Sequence, residues 1–148
     1  MKLGFKKVHP DAKLPTYAHD GDAGMDVYAV EDVKLQDSKP TIVSTGLIAE
    51  IPKGFELQVR PRSGLATKGV TVWNSPGTVD ASYRGIIGVI LCYISQNKDE
   101  TTVKYFDIKK GDRIAQLVFS PVTKAEIVEV NEVSNTDRGT GGFGSTGV

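Results

Sequence analysis

The residues most able to do chemistry lie in one stretch, Asn74-Ser75-Pro76-Gly77-Thr78-Val79-Asp80-Ala81-Ser82-Tyr83-Arg84-Gly85. Pro76 followed by Gly77 suits the centre of a type II turn, because proline presets φ and glycine accepts a positive φ. Apolar residues 70–73 precede the turn and Thr78-Val79 follow it, which predicts a tight hairpin with one carboxylate, Asp80, at its exit. Asp80 and Tyr83 are three residues apart, a spacing that a flat strand would send to opposite faces. For both to face one ligand the chain must bend at Ala81-Ser82, two residues small enough to allow it. On these residues alone, Asp80 is either a solvated turn carboxylate or a group presented to a ligand.

Four further stretches place polar groups at turns. Asp26 follows Ala23-Gly24-Met25 at a strand start, as a turn residue or a metal-side carboxylate. Pro61-Arg62-Ser63-Gly64-Leu65-Ala66 marks a strand-to-helix junction. First-turn N–H groups of a helix lack internal partners, so an anion can accept from them, with Arg62 adding a forked cation and Ser63 a hydroxyl. Ser63 as a plain N-cap accounts for the same residues. Gly111-Asp112-Arg113-Ile114-Ala115-Gln116-Leu117 is a turn feeding a strand, and a buried Gln116 would need a partner, either a ligand oxygen or backbone. Arg138-Gly139-Thr140-Gly141-Gly142-Phe143-Gly144-Ser145-Thr146-Gly147 joins a cation, hydroxyls, one aromatic and glycine backbone. Such backbone wraps phosphate through its N–H groups, or is simply a flexible tail. His9 and His19 complete no zinc site, and Cys92 has no evident histidine partner for nucleophilic work. Carboxylates beside phosphate-binding loops, without soft ligands, suit Mg²⁺ held largely by substrate phosphates.

The chain that must position these groups has 148 residues, which fits one domain. A hydrophobic content of 39% is enough for a core. Lys plus Arg equals Asp plus Glu, 18 each, so there is no basic excess to grip a nucleic-acid backbone and no stable nucleic-acid binding is expected. Cys92, inside the apolar run 86–94, is expected as a buried thiol, and a lone cysteine points to a reducing compartment. That run is too short to span a bilayer, and the first residues show no apolar signal-peptide core, so a soluble cytoplasmic protein without membrane contact is expected. Period-2 alternation is clearest at Phe55, Leu57 and Val59. Further strands are expected at 2–8, 25–29, 41–45, 47–51, 86–94, 102–106, 115–120 and 126–130, with a hairpin loop at 96–100. One short helix is expected at 63–68, closed by Gly69. The pattern predicts an all-β sandwich, jelly roll or barrel. Residues 138–148 hold five glycines and one aromatic, so a β-rich domain over 1–137 should carry a mobile C-terminal arm.

Taken together, the five stretches resemble the five motifs of the homotrimeric dUTPases, in family order at 23–27, 61–66, 77–85, 111–117 and 138–147. The resemblance covers nearly the whole chain and implies a jelly-roll-like subunit. It also implies a homotrimer with each active site at a subunit interface, and hydrolysis of dUTP to dUMP and pyrophosphate with Mg²⁺. Carried over residue by residue, Asp80 would activate the water and touch the 3′-hydroxyl, and Tyr83 would lie beneath the deoxyribose. Asn74 and the backbone of Gly77 and Val79 would read the uracil edge. Arg62, Ser63 and Gly64 would hold phosphate oxygens, and Gln116 would sit by the α-phosphate and the water. Asp26 would stand in the metal's outer shell through water. Arg138, Ser145 and Thr146 would hold the terminal phosphate, with Phe143 over the uracil and Gly144 also among the substrate-binding residues. Arg84, Asp112 and Arg113 are expected as structural ion-pair partners. Two rival functions share the scaffold: dCTP deamination, and dUTP sensing without turnover. The deaminases use a glutamate where this chain has Arg84, and a guanidinium cannot serve as that acid/base.

Overall fold

The alternation at Phe55–Arg60 builds the central strand of the larger sheet. In this computed structural model, which describes residues 1–97, 99, 101–143 and 145, Leu57 and Val59 are buried while Arg60 is exposed. The elements are β1 (Gly4–Lys7), β2 (Gly24–Tyr28), β3 (Val33–Gln36), β4 (Thr41–Ser44), β5 (Leu47–Glu50) and β6 (Phe55–Arg60). There follow α1 (Ser63–Ala66), β7 (Val70–Val72), β8 (Gly77–Asp80), β9 (Gly88–Tyr93), β10 (Tyr105–Ile108) and β11 (Arg113–Pro121). Every ladder is antiparallel. One sheet has the order β2-β11-β6-β8 and a second has β4-β9-β7, with two-stranded ladders β1-β5 and β3-β10 beside them. Val27, Leu57 and Leu117 from the first sheet share one hydrophobic cluster with Val43, Val70 and Leu91 from the second. This is the jelly-roll-like, nearly all-β architecture that the sequence predicts.

Several local expectations are corrected. Residues 70–73 and 78–79 do not form a paired hairpin, because β7 pairs with β9 and β8 pairs with β6. The Asn74–Gly77 corner therefore carries the chain from one sheet to the other. Gly77 has no positive φ, so the corner is not a type II turn. Residues 96–100 join β9 to β10, which also lie in different ladders, so no hairpin forms there; 98 and 100 lie outside the described residues. Helix α1 stops at Ala66 and winds down through Lys68 N–H to Leu65 O and Gly69 N–H to Ala66 O, ending on Gly69 at φ 84°. Strand β3, where Val33 and Leu35 alternate with Lys34 and Gln36, was not expected. The strand expected at 102–106 lies later, at Tyr105–Ile108, because buried Ile108 anchors its end in the core. Residues 126–130 form no strand: they pair with no strand among the described residues, and Ile127 is 89% exposed.

Candidate active site

The first polar cluster forms where β2 and β11 lie side by side. Gln116 stands opposite Asp26 in that ladder, and opposite Arg60 on its other side. Asp26 is buried, and its Oδ1 accepts from Arg62 Nε at 2.9 Å and from Gln116 Nε2 at 3.5 Å. Its Oδ2 accepts from Arg113 Nη1 at 3.3 Å, and Arg62 also donates to the Arg113 carbonyl. A buried carboxylate requires such partners, and two guanidiniums supply both charge and hydrogen bonds. Gln116 thus finds its partner in a carboxylate rather than in backbone. Gly24 makes room for it: a Cβ there would stand 3.0–3.1 Å from the Gln116 side chain. Ser63 makes no capping hydrogen bond, since Arg62 is the N-cap residue, and Ser63 and Gly64 lie exposed beside the cluster.

The second cluster is at the far edge of the same sheet. Asp80 ends β8, exposed, opposite Glu56 of β6. The chain bends there as the spacing demands, with Tyr83 N–H donating to Asp80 O at 3.0 Å. The Tyr83 hydroxyl donates to Ile86 O at 3.2 Å, and its ring crosses Gly85 so closely that any Cβ at that position would overlap it. Arg84 braces the bend through Nη1 to Ala81 O and Tyr83 O, both at 2.8 Å, and makes no ion pair among the described residues. Asp112 likewise caps its own turn, accepting from Lys109 N–H at 2.8 Å, so of the three expected ion-pair partners only Arg113 is one. Val79 turns its side chain into the core, leaving only its backbone for a ligand. Asn74 is exposed at the corner, beside buried Gly77. Because β8 ends the sheet order, no strand lies on its other side among the described residues.

The two clusters are separated within one chain. Asp80 is level with Glu56 and Gln116 is level with Arg60, a difference of four residues along β6. At about 3.3 Å per residue that is roughly 13 Å along the strand, with about 10 Å more across two strand spacings. The cavities at Asp80 follow this division. One of about 560 Å³ is lined by Phe55, Glu56, Asp80, Arg84 and Lys124 among others, and one of about 160 Å³ by Thr78, Asp80, Tyr83 and Gly88 among others. Neither is lined by Asp26, Arg62 or Gln116. In the arm, Arg138 Nε donates to Gly141 O at 2.8 Å, Phe143 is fully exposed and Ser145 N–H donates to Gly142 O. Gly144 and Thr146 lie outside the described residues. Cys92 is buried as expected, and burial, with the Asp37 carboxylate adding to it, pushes its thiol pKa up.

The fold and its two clusters define a jelly-roll-like β protein with an exposed edge carboxylate and a separate arginine-locked carboxylate. Residues 10–147 match the dUTPase family, and the chain belongs to that family. It is 55% identical over 148 residues to the deoxyuridine 5'-triphosphate nucleotidohydrolase of Picosynechococcus sp., covering 99% of each chain. To the enzyme of the same name from Hydrogenobaculum sp. it is 53% identical, covering 100% of this chain and 99% of that one. Among solved structures, the Staphylococcus bacteriophage 80alpha dUTPase with dUPNHPP superposes with a TM-score of 0.87 at 29% identity, covering 99% of each chain.

Proposed function

We propose that this protein hydrolyses dUTP to dUMP and pyrophosphate, at sites assembled between the copies of a homotrimer. The observation that carries the activity is the 55% identity, across 99% of both chains, to a named dUTP hydrolase. The presence of Asp80, Tyr83, Arg62 and Gln116 at the matching motifs supports it. The separation of the Asp80 cluster from the Gln116 cluster supports a site built from more than one chain.

Water attack at phosphorus needs a base within hydrogen-bond reach and donors aimed at the developing charge. Asp80 takes the proton from water as the oxygen bonds to the α-phosphorus and pyrophosphate departs. Gln116, from another chain, orients that water and the α-phosphate. Arg62, Ser63 and Gly64 hold the phosphate oxygens, and Asn74 with the Gly77 and Val79 backbone reads the uracil edge. A fixed backbone edge rejects the wrong base because its polar groups would be left unpaired. Tyr83 supports the deoxyribose. Arg138, Ser145 and Thr146 close on the terminal phosphate, and Phe143, with Gly144 next to it in the sequence, covers the base.

Mg²⁺ carried by the triphosphate would neutralise charge and order the phosphates. Both Asp26 oxygens already accept from arginines, so Asp26 fits an outer position through water and not a direct ligand. No cluster of three metal-ligating side chains exists among the described residues, which fits a metal held mainly by the substrate. No helix among the described residues is long and apolar enough to cross a membrane. The activity belongs in the cytoplasm, where it limits uracil in DNA and supplies dUMP for thymidylate synthesis.

A panel of dUTP, dTTP, dCTP and UTP tests the proposal, with pyrophosphate, ammonia and plain binding measured in parallel. Pyrophosphate from dUTP alone is the expected result. Ammonia from dCTP would assign deamination, and dUTP binding without product would assign a sensor.

A further inference from the structure

Tyr83 is 47% exposed, and an exposed side chain changes rotamer within nanoseconds unless something fixes it. A wall that is to reject a single hydroxyl has to stay within about 0.5 Å of its place. The backbone beneath the ring is well held: Tyr83 N–H donates to Asp80 O, and Arg84 Nη1 donates to Ala81 O and Tyr83 O. The ring is tied at its far end, where the hydroxyl donates to Ile86 O at 3.2 Å. Between those two points it must pass over residue 85.

Space, not backbone conformation, accounts for the glycine there. Gly85 has no positive φ, so an alanine can adopt the same backbone. The three atoms nearest to a Cβ built on Gly85 all belong to Tyr83: the Cβ overlaps Oη and Cζ and stands 2.9 Å from Cε2. At Gly64, by contrast, such a Cβ meets nothing within 4 Å. The tip of a side chain swings away more easily than a braced bend opens, so a methyl at position 85 displaces the ring first. Tyr83 also lines the smaller cavity at Asp80, of about 160 Å³, and the ring's place sets that cavity's shape.

We infer that Gly85 is a positioning residue for sugar selection: its missing Cβ seats the Tyr83 ring where a 2′-hydroxyl would otherwise fit. The inference rests on the proposed dUTP hydrolysis, with Tyr83 beneath the deoxyribose, and names what holds that side chain in place.

The test compares wild type, Gly85→Ala, Tyr83→Ala and the double variant Tyr83→Ala/Gly85→Ala by the dUTP/UTP ratio of kcat/KM. Gly85→Ala should lower that ratio by about tenfold or more. In the Tyr83→Ala background it should change the ratio no further, because the group it acts through is gone. A role in the fold alone would slow both substrates alike and do so in both backgrounds. An unchanged ratio in Gly85→Ala, or a further fall in the double variant, would overturn the inference. If Gly85→Ala does not fold, the double variant decides: a fold restored by removing the ring supports the seat, and a second failure to fold overturns it. Ring signals of ¹³C-labelled tyrosine read the seat without any substrate. Tyr83, one of five tyrosines, is assigned by its absence from Tyr83→Ala, and its signal is the one that should move most in Gly85→Ala. An unmoved Tyr83 signal would overturn the seat, whereas a wild type that leaves dUTP intact would overturn the proposed hydrolysis, so the two failures are told apart.

Discussion

Asp80 and Asp26 are both strand carboxylates in glycine-marked stretches, yet their surroundings differ, which supports the different roles proposed for them. Asp80 is exposed at a cavity edge, whereas Asp26 is enclosed by Arg62 and Arg113. Asp80→Asn keeps the shape and removes the base, so turnover should be lost while dUTP binding stays within about tenfold. Steady-state rates beside calorimetric binding check this, and a variant retaining more than a tenth of the wild-type rate would remove Asp80 from the chemistry. Asp26→Ala should instead act on stability. It leaves Arg62, only 22% exposed, without its carboxylate partner, and breaking one side of a buried pair costs about 3 kcal/mol. Urea unfolding at fixed protomer concentration should show the loss, and an unchanged midpoint would mean the pair contributes nothing. Tyr83 is fixed over Gly85 and should select the sugar by occupying the space of a 2′-hydroxyl. Tyr83→Ala should narrow the dUTP/UTP ratio of kcat/KM, and an unaltered ratio would place sugar selection elsewhere.

At the scale of elements, sequence patterns were legible where they were local. The alternation at Phe55–Val59 and the glycine closing α1 correspond to real features. The two arms around Asn74–Gly77 were not, because turn residues say that the chain reverses but not which sheet receives each arm. Strand β3 was too short to stand out, with only Val33 and Leu35 alternating. Residues 126–130 carried apolar residues like a strand's but pair with no strand among the described residues. The five motif stretches could be read before any coordinates. The arginine clamp on Asp26 could not, because it joins residues 36 and 87 positions apart. Under the proposed function, the arm 138–148 is the element whose role depends most on ligand. Truncation after Asp137 should leave the assembly intact yet slow turnover by ~10² or more, as loss of a closing lid does. Proteolysis should cut the arm quickly in the free protein, and more slowly with a non-hydrolysable dUTP analogue and Mg²⁺ than with dUMP. Equal rates in all three states would reduce the arm to a plain flexible end.

At the scale of the whole molecule, the central claim is that Asp80 and Gln116 of one site come from different chains, because one chain holds them at opposite ends of β6. Two inactive variants, Asp80→Asn and Gln116→Leu, can be co-expressed in equal amounts with different tags and the mixed oligomers isolated. In a rotationally symmetric trimer that holds both variants, about one site in three pairs an intact Asp80 with an intact Gln116 from its neighbour. The isolated mixed protein should therefore recover about a third of wild-type dUTP turnover, while each variant alone stays inactive. Mixed oligomers as inactive as their parents would put both groups in one chain and contradict the account.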